Sequence, residues 1–150
     1  VNRFVLVNAE IPSGSMENTI MTGDRVFGNR LAYIFGEPKR FDIIIFRYPD
    51  DEKQLFIKRI IGLPGETVEI HDGQIFIDGS KTPLKDVTTK EFMQGSFGPY
   101  TVPDNCYFVM GDNRNNSKDS RYWEHTFVTD DEIVGKAFLR YWPLNKIKFL

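Results

Sequence analysis

The sequence predicts a mostly β protein, and three observations support this fold class. Short apolar runs alternate with Gly, Pro, Asp and Asn along most of the chain, as in strands joined by turns. Thirteen Phe, six Tyr and two Trp supply aromatic side chains, a residue class that favours strands. Convincing helical patterns are few, so helices are expected only as short turns.

Six runs have the length and composition of strands. They are residues 41–46, 55–61, 67–70, 74–77, 106–110 and 135–142. The Asp72-Gly73 pair between two alternating runs predicts a β-hairpin, and Asp78-Gly79 predicts the next turn. Residues 28–36 predict one short helical turn, and residues 129–132 have the composition of a helix start.

The order of these runs predicts one β core with a small insertion. Residues 81–103 are polar, contain several Gly and Pro, and predict a loop-rich segment. We therefore expect a catalytic core made of residues 1–66 and 109–150, with a small lobe of residues 67–108 inserted into it.

Composition excludes several classes of function. The net charge is −2 with both signs mixed along the chain, which argues against nucleic acid as a partner. A single cysteine, Cys106, excludes an intrachain disulfide and a CxxC metal site. No run approaches the roughly 20 apolar residues of a membrane span. The chain starts at Val1 rather than Met, so we expect that a segment preceding it has been removed.

The first candidate site is the segment Ile-Pro-Ser-Gly-Ser-Met at residues 11–16. Gly14 lets the backbone adopt conformations that other residues resist, so Ser15 can be exposed with its amide directed at a substrate carbonyl. An ordinary polar turn is the alternative interpretation of this segment taken alone.

The second candidate is Lys58, which lies in a strongly apolar run. Period-2 alternation places it on the same face as Phe56 and Ile60, so the lysine is either buried or extends to solvent from an edge strand. To act as a base near neutral pH, the amine needs its pKa lowered by roughly 3 units, about 4 kcal/mol. Burial supplies shifts of that size, and the neutral amine could then activate Ser15.

Two histidines compete with Lys58 for the role of base. Neither His71, at the predicted hairpin turn, nor His125 has a recognisable motif around it, so we expect both at the surface.

The third candidate is the loop of residues 111–123, which follows an apolar strand and is dense in Asp, Asn, Ser and Arg. Such residues form hydrogen-bond networks that fix a loop, and Asp–Arg pairs can be bidentate. A solvated turn or a calcium loop are the alternatives, but the spacing lacks the glycine and the closing glutamate of an EF-hand.

Together these segments resemble the bacterial type I signal peptidases, also called leader peptidases. The motifs occur in the family's order at residues 11–16, 23–26 (Gly-Asp-Arg-Val), 58–66 (Lys-Arg-Ile-Ile-Gly-Leu-Pro-Gly-Glu) and 111–121 (Gly-Asp-Asn-Arg … Ser-Lys-Asp-Ser-Arg). The segment between the last two motifs is short for the family, as in its compact Gram-positive form. Asn18 and Asn115 depart from the family's usual Pro and Asp, and neither change removes a catalytic group.

The resemblance implies an antiparallel β core shared with the SOS-repressor peptidases, and an acyl-transfer mechanism that needs no metal or cofactor. Ser15 would be the nucleophile and Lys58 the general base. The oxyanion hole would consist of the Ser13 hydroxyl and the Ser15 amide. Supporting roles fall to Ser117, which would orient the amine, to Gly111, which would let the loop pack closely, and to the pairs Asp119–Arg121 and Asp112–Arg59.

The same resemblance implies the substrate. The signal-peptide region of a preprotein would bind as an extended strand beside residues 55–57 and be cleaved after small residues at positions −1 and −3. The residues expected to contact it are Ile11, Met16, Ile20, Val26, Leu55, Phe56 and Ile57.

Family members are anchored in the cytoplasmic membrane with the catalytic domain on its outer face, and we expect the same of this protein. A lipid surface is therefore an expected partner, and Phe4, Trp142 and Phe149 are candidates to contact it. Two alternatives stay open: a self-cleaving Ser–Lys peptidase of the SOS-repressor type, and a non-catalytic β-rich binding module.

Overall fold

The structure is a computed structural model that describes residues 6–10, 15–16, 24–34, 36–86, 93–142 and 147–150. It contains eleven strands within these ranges, together with two short 3-10 helices, Arg114–Asn116 and Asp130–Glu132. The strands are β1 (Leu6–Glu10), β2 (Arg25–Asn29), β3 (Ile43–Tyr48), β4 (Asp51–Gly62), β5 (Thr67–His71), β6 (Gln74–Ile77), β7 (Phe97–Thr101), β8 (Cys106–Met110), β9 (Val128–Thr129), β10 (Ile133–Trp142) and β11 (Lys148–Phe149).

The strands form two antiparallel sheets, which confirms the predicted mostly β class. The larger sheet has the order β1-β2-β10-β3-β4-β8-β9, and β11 pairs with β10. The smaller sheet has the order β6-β5-β7. The described residues contain no helix long and apolar enough to cross a membrane.

The central strands are buried on both faces because their apolar side chains alternate between two core clusters. Ile43 and Ile45 of β3 belong to a cluster on one face, whereas Ile44 and Phe46 belong to a cluster on the other. A third cluster lies between the two sheets, where Val68 of β5 and Phe108 of β8 pack together. The smaller sheet therefore shares a core with the larger one.

All six runs predicted as strands form strands, and so does the hairpin at Asp72-Gly73. Both turn residues have positive φ, 48° and 79°, as a two-residue hairpin turn of the type that Asp-Gly favours requires. The predicted helix start at residues 129–132 is also confirmed, since Thr129 and Glu132 form a capping box on a 3-10 helix.

The helical turn predicted at residues 28–36 is wrong in its first part. Gly28 belongs to β2, where a Cβ would lie 2.6 Å from Ile45 Cδ1, and a turn follows at residues 30–34. Gly28 allows β2 to pack closely on its neighbours. Residues 81–103 also contain a strand, β7, which pairs with β5 and has no alternating pattern of its own.

The division into a core (1–66 and 109–150) and an inserted lobe (67–108) stays a proposal. The smaller sheet, with β5, β6 and β7, falls inside the proposed lobe. Strand β8 begins at Cys106 and pairs with β4 in the larger sheet.

Candidate active site

The structure brings Ser15 and Lys58 into contact, although 43 positions separate them in sequence. Ser15 Oγ and Lys58 Nζ are 2.6 Å apart and share a hydrogen bond. Both residues are buried, with 7% of Ser15 and 4% of Lys58 exposed. A hydroxyl and an amine at this distance, shielded from water, can exchange a proton.

Lys58 is buried because β4 carries it into the sheet. It lies opposite Ile44 of β3, and its Nζ is 5.2 Å from the centre of the Phe56 ring. Burial lowers the pKa of Lys58 to about 8, and the negative charge of Asp119 acts in the opposite direction. Desolvation therefore outweighs the nearby carboxylate, and a sizeable fraction of the amine is neutral at mildly basic pH.

Ser15 is held by the loop that follows β8. The Asn113 amide donates to the Ser15 carbonyl oxygen at 2.8 Å. The Asp112 amide donates to Met16 Sδ at 3.3 Å. Gly111 lies against the same carbonyl, and a Cβ on it would be 2.5 Å from that oxygen. The backbone of the nucleophile segment thus depends on the close approach of this loop.

Two buried aspartates fix the loop through bidentate pairs with arginines. Asp112 accepts from Arg59 Nε at 2.9 Å and from Arg59 Nη2 at 2.8 Å. Asp119 accepts from Arg121 Nε and Nη2, both at 2.9 Å, and from the Gly111 amide at 3.0 Å. Both ion pairs expected from the resemblance are therefore present, and each neutralises a carboxylate with no exposure to solvent.

Ser117 lies in the same cleft but does not make the hydrogen bond expected of it. Its Oγ is buried and has no hydrogen-bond partner among the described residues, whereas the Lys58 amine is bonded to Ser15. A Cβ on Gly111 would collide with the Ser117 hydroxyl, so glycine is needed there for the loop to close over Ser117. The hydroxyl is available to a further partner inside the cleft.

The Ser–Lys pair opens into a cleft of about 790 Å³. One wall is aromatic: Tyr48 stacks on Phe56 with ring centres 4.2 Å apart, and Trp123 packs edge-on against Tyr48 at 5.3 Å. The opposite wall is polar. The described lining residues are Ser15, Tyr48, Phe56, Lys58, Asn115, Asn116, Ser117, Lys118, Tyr122 and Trp123.

The residues predicted to bind substrate fall into three groups. Ile11, Ile20 and the oxyanion candidate Ser13 lie outside the described residues. Phe56 lines the cleft and Leu55 is 45% exposed beside it. The others pack in one buried cluster on the face of the sheet away from the cleft: Met16, Val26 and Ile57.

Sequence reasoning missed two polar side chains that hold the loop. Arg114 donates from Nε to the Gly111 carbonyl at 2.8 Å. Ser120 Oγ accepts from the Val109 amide at 2.9 Å and so ties the loop back to β8. Both lie in the motif of residues 111–121, but only the fold shows which backbone groups they reach.

The two histidines are at the surface, as predicted from their lack of a motif. The His125 ring pairs with Asp50 at 2.8 Å and the His71 ring with Glu69 at 2.9 Å, and both side chains are more than half exposed. Neither is among the described residues that line the cleft. In the part of the chain that the structure describes, no three His, Cys, Asp or Glu side chains are grouped to hold a metal ion.

Comparisons with known proteins show the family of the chain. The family model "Signal peptidase, peptidase S26" matches residues 1–142. A probable signal peptidase I-2 of Synechocystis is 37% identical over all of this chain and 69% of its own length. A signal peptidase I of Leptolyngbya laminosa is 39% identical over 98% of this chain and 74% of its own length.

A solved structure is similar as well. The signal peptidase I from Enterococcus faecalis V583 is 38% identical, covers 66% of this chain and 95% of its own length, and superposes with a TM-score of 0.55. These findings favour neither the SOS-repressor type of peptidase nor a non-catalytic module. The chain belongs to the peptidase S26 family of signal peptidases.

Proposed function

We propose that this chain is a serine endopeptidase that removes signal peptides from preproteins, with Ser15 as nucleophile and Lys58 as general base. The observation that carries the proposal is the 2.6 Å contact between Ser15 Oγ and the buried Lys58 amine, whose pKa is lowered to about 8 by that burial. The match to signal peptidases over residues 1–142 supports the class of substrate.

The reaction would be acyl transfer in two steps. The neutral Lys58 amine takes the proton of the Ser15 hydroxyl as Oγ attacks the scissile carbonyl carbon, and the ammonium then protonates the leaving amine as the peptide bond breaks. A water molecule next attacks the acyl-enzyme, giving a proton to Lys58, and Ser15 is regenerated. We propose that the Ser15 amide and the Ser13 hydroxyl bind the oxyanion, because the family's motif places the oxyanion hole at these two positions.

The substrate would add a strand to the free edge of β4. Strand β8 pairs with β4 only from Arg59 onward, and β3 pairs along the other edge. Among the described residues none forms a strand beside residues 51–58 on the β8 side. A backbone edge next to Lys58 can hold an extended peptide with its scissile bond at Ser15. The family resemblance supports cleavage after small residues at positions −1 and −3 of this peptide.

The protein would act at the outer face of the cytoplasmic membrane, where signal peptides emerge. Of the three aromatic side chains expected at lipid, Phe149 is 77% exposed, and Ile147 beside it is 58% exposed. Phe4 lies outside the described residues, as does the side chain of Trp142. We propose that the apolar strip formed by Ile147 and Phe149 contacts the lipid surface.

Replacing either member of the pair should abolish turnover. Ser15→Ala removes the nucleophile, and Lys58→Ala removes the base, so each should lower kcat for a preprotein by about 10²- to 10⁴-fold or more. Lys58→Arg should fail equally, because a guanidinium does not deprotonate in proteins. The measurement is gel-based cleavage of a preprotein. Lys53→Ala, at an exposed lysine of the same strand, is the matched control. Wild-type turnover by Ser15→Ala or Lys58→Ala would refute the assignment.

The pH dependence of kcat/KM should show that one group must lose a proton before the enzyme is active. Since burial lowers the pKa of Lys58 to about 8, log kcat/KM should rise with unit slope below that pH and level off above it. Initial rates on a peptide substrate between pH 5 and 10 test this. An acidic limb centred near 10, the value of an exposed lysine, would contradict a buried base.

Strand addition predicts an alternating response to backbone methylation of the substrate. N-methylation of single amides in a signal-peptide substrate should raise KM by up to about tenfold at every second position, where the amide would donate to β4. Methylation outside the segment that pairs with β4 serves as the control. A uniform response along the peptide would argue against an added strand.

Contact with lipid predicts binding to vesicles. The chain should co-sediment with vesicles of phosphatidylethanolamine and phosphatidylglycerol, and Phe149→Ser should bind less because it removes an exposed aromatic ring. Tyr122→Ser, at an exposed aromatic residue that lines the cleft, is the comparison. Equal binding by wild type and Phe149→Ser would remove Phe149 from the proposed surface.

A further inference from the structure

We infer that Asp86 is a positioning residue for the reaction, which acts through Arg114 on the loop that supports Ser15. The inference rests on the proposed function of Ser15 and Lys58. It assigns a part in the reaction to the segment between β6 and β8, outside all four motifs that identify the family.

Asp86 and Arg114 form a buried ion pair. Asp86 Oδ2 and Arg114 Nη1 are 2.5 Å apart, and the two side chains are 9% and 1% exposed. A charge-assisted hydrogen bond in such a dry environment is strong and directional. The carboxylate therefore determines how the Arg114 guanidinium is oriented.

The oriented Arg114 guanidinium in turn fixes the position of Gly111. Its Nε donates to the Gly111 carbonyl at 2.8 Å, while the Gly111 amide donates to Asp119 Oδ2 at 3.0 Å. Arg121, which is paired with Asp119, donates to the Arg114 carbonyl at 2.8 Å. Gly111 is thus held by hydrogen bonds at both its amide and its carbonyl. Asp86 is connected to Gly111 through Arg114.

Gly111 lies directly against the backbone of Ser15. It touches the Ser15 carbonyl and the Ser117 hydroxyl so closely that a single methyl group would not fit. A displacement of Gly111 would therefore move the backbone of Ser15. Misplacement of a reacting group by about 1 Å can lower the rate by about 10²-fold.

Three further contacts join the same segment of the chain to the loop. The Gln94 amide donates to Asn115 Oδ1 at 2.8 Å. Phe97 of β7 packs edge-on against Tyr122 with ring centres 5.6 Å apart, and the Arg121 guanidinium lies 5.5 Å from the Phe97 ring. The Asp86–Arg114 ion pair therefore acts together with the contacts of Gln94 and Phe97 to join this part of the chain to the loop.

The test compares Asp86→Asn with Asp78→Asn. Asp78 lies just after β6, accepts from the Thr67 amide at 2.8 Å, and makes no contact with the loop that the structure describes. Asp86→Asn keeps the side chain's size but removes its charge. We expect a fall in kcat of about 10- to 100-fold with little change in KM. Asp78→Asn should retain wild-type kcat, and Asp86→Glu should recover part of the loss.

Arg114→Lys is the second variant, because it keeps the positive charge but lacks the Nε that donates to Gly111. It should lower kcat to a similar extent, and the double variant with Asp86→Asn should be little worse than either single one. Rates are measured with a preprotein well below the melting temperature of each variant. If Asp86→Asn does not fold, the kcat of Arg114→Lys tests the inference instead.

Unchanged kcat in Asp86→Asn or Arg114→Lys would overturn the inference, as would equal losses in Asp86→Asn and Asp78→Asn. A rise in KM alone would also overturn it, since it would place Asp86 in substrate binding. Ser15→Ala is run alongside. An inactive wild type would count against the proposed function, whereas an active wild type with an equally active Asp86→Asn would count against this inference only.

Discussion

The burial of the Lys58 amine is the constraint on which the rest of the site depends. An ammonium in an apolar environment is unstable, so a lysine carried into the sheet by β4 gives up its proton at a much lower pH than one in water. That cost to the folded state leaves a sizeable fraction of the amine neutral at mildly basic pH. The carboxylate of Asp119 acts in the opposite direction, and its pairing with Arg121 limits that effect.

Asp112 and Asp119 show how the charges are balanced. Both carboxylates are fully buried, and an unpaired anion near Lys58 would favour the protonated amine. Each is instead held by two bonds from an arginine, Arg59 or Arg121, so that much of its charge is neutralised locally. Asp119 still raises the pKa of Lys58, but burial has the larger effect. Both pairs therefore hold the loop, and the pairing of Asp119 also limits how far that carboxylate raises the pKa of Lys58.

The sequence predicted the strands and the Ser–Lys contact better than the details of the loop. Lys58 stood out because alternation placed it on an apolar face, and the order of the motifs connected it with Ser15. The turn predicted at residues 28–36 was wrong at Gly28, because the role of that glycine depends on Ile45 of β3, which packs against it. The Asp86–Arg114 pair was missed for a similar reason, since nothing near Asp86 in the sequence indicates that the fold brings it to the loop. Local patterns report on local structure, whereas these contacts arise from tertiary packing.

The hydrogen bond predicted between Ser117 and the Lys58 amine is not among those of the structure, and this difference bears on the mechanism. A buried hydroxyl without a partner costs about 1–3 kcal/mol, so its burial calls for an explanation. In the resting site the Lys58 amine is bonded to Ser15, and no described residue bonds the Ser117 hydroxyl. Once Lys58 has taken the serine proton it carries three N–H donors, and Ser15 Oγ is engaged with the substrate carbon. The Ser117 hydroxyl lines the same cleft and has lone pairs that can accept from an ammonium, so its bond to Lys58 stays a prediction for the protonated amine.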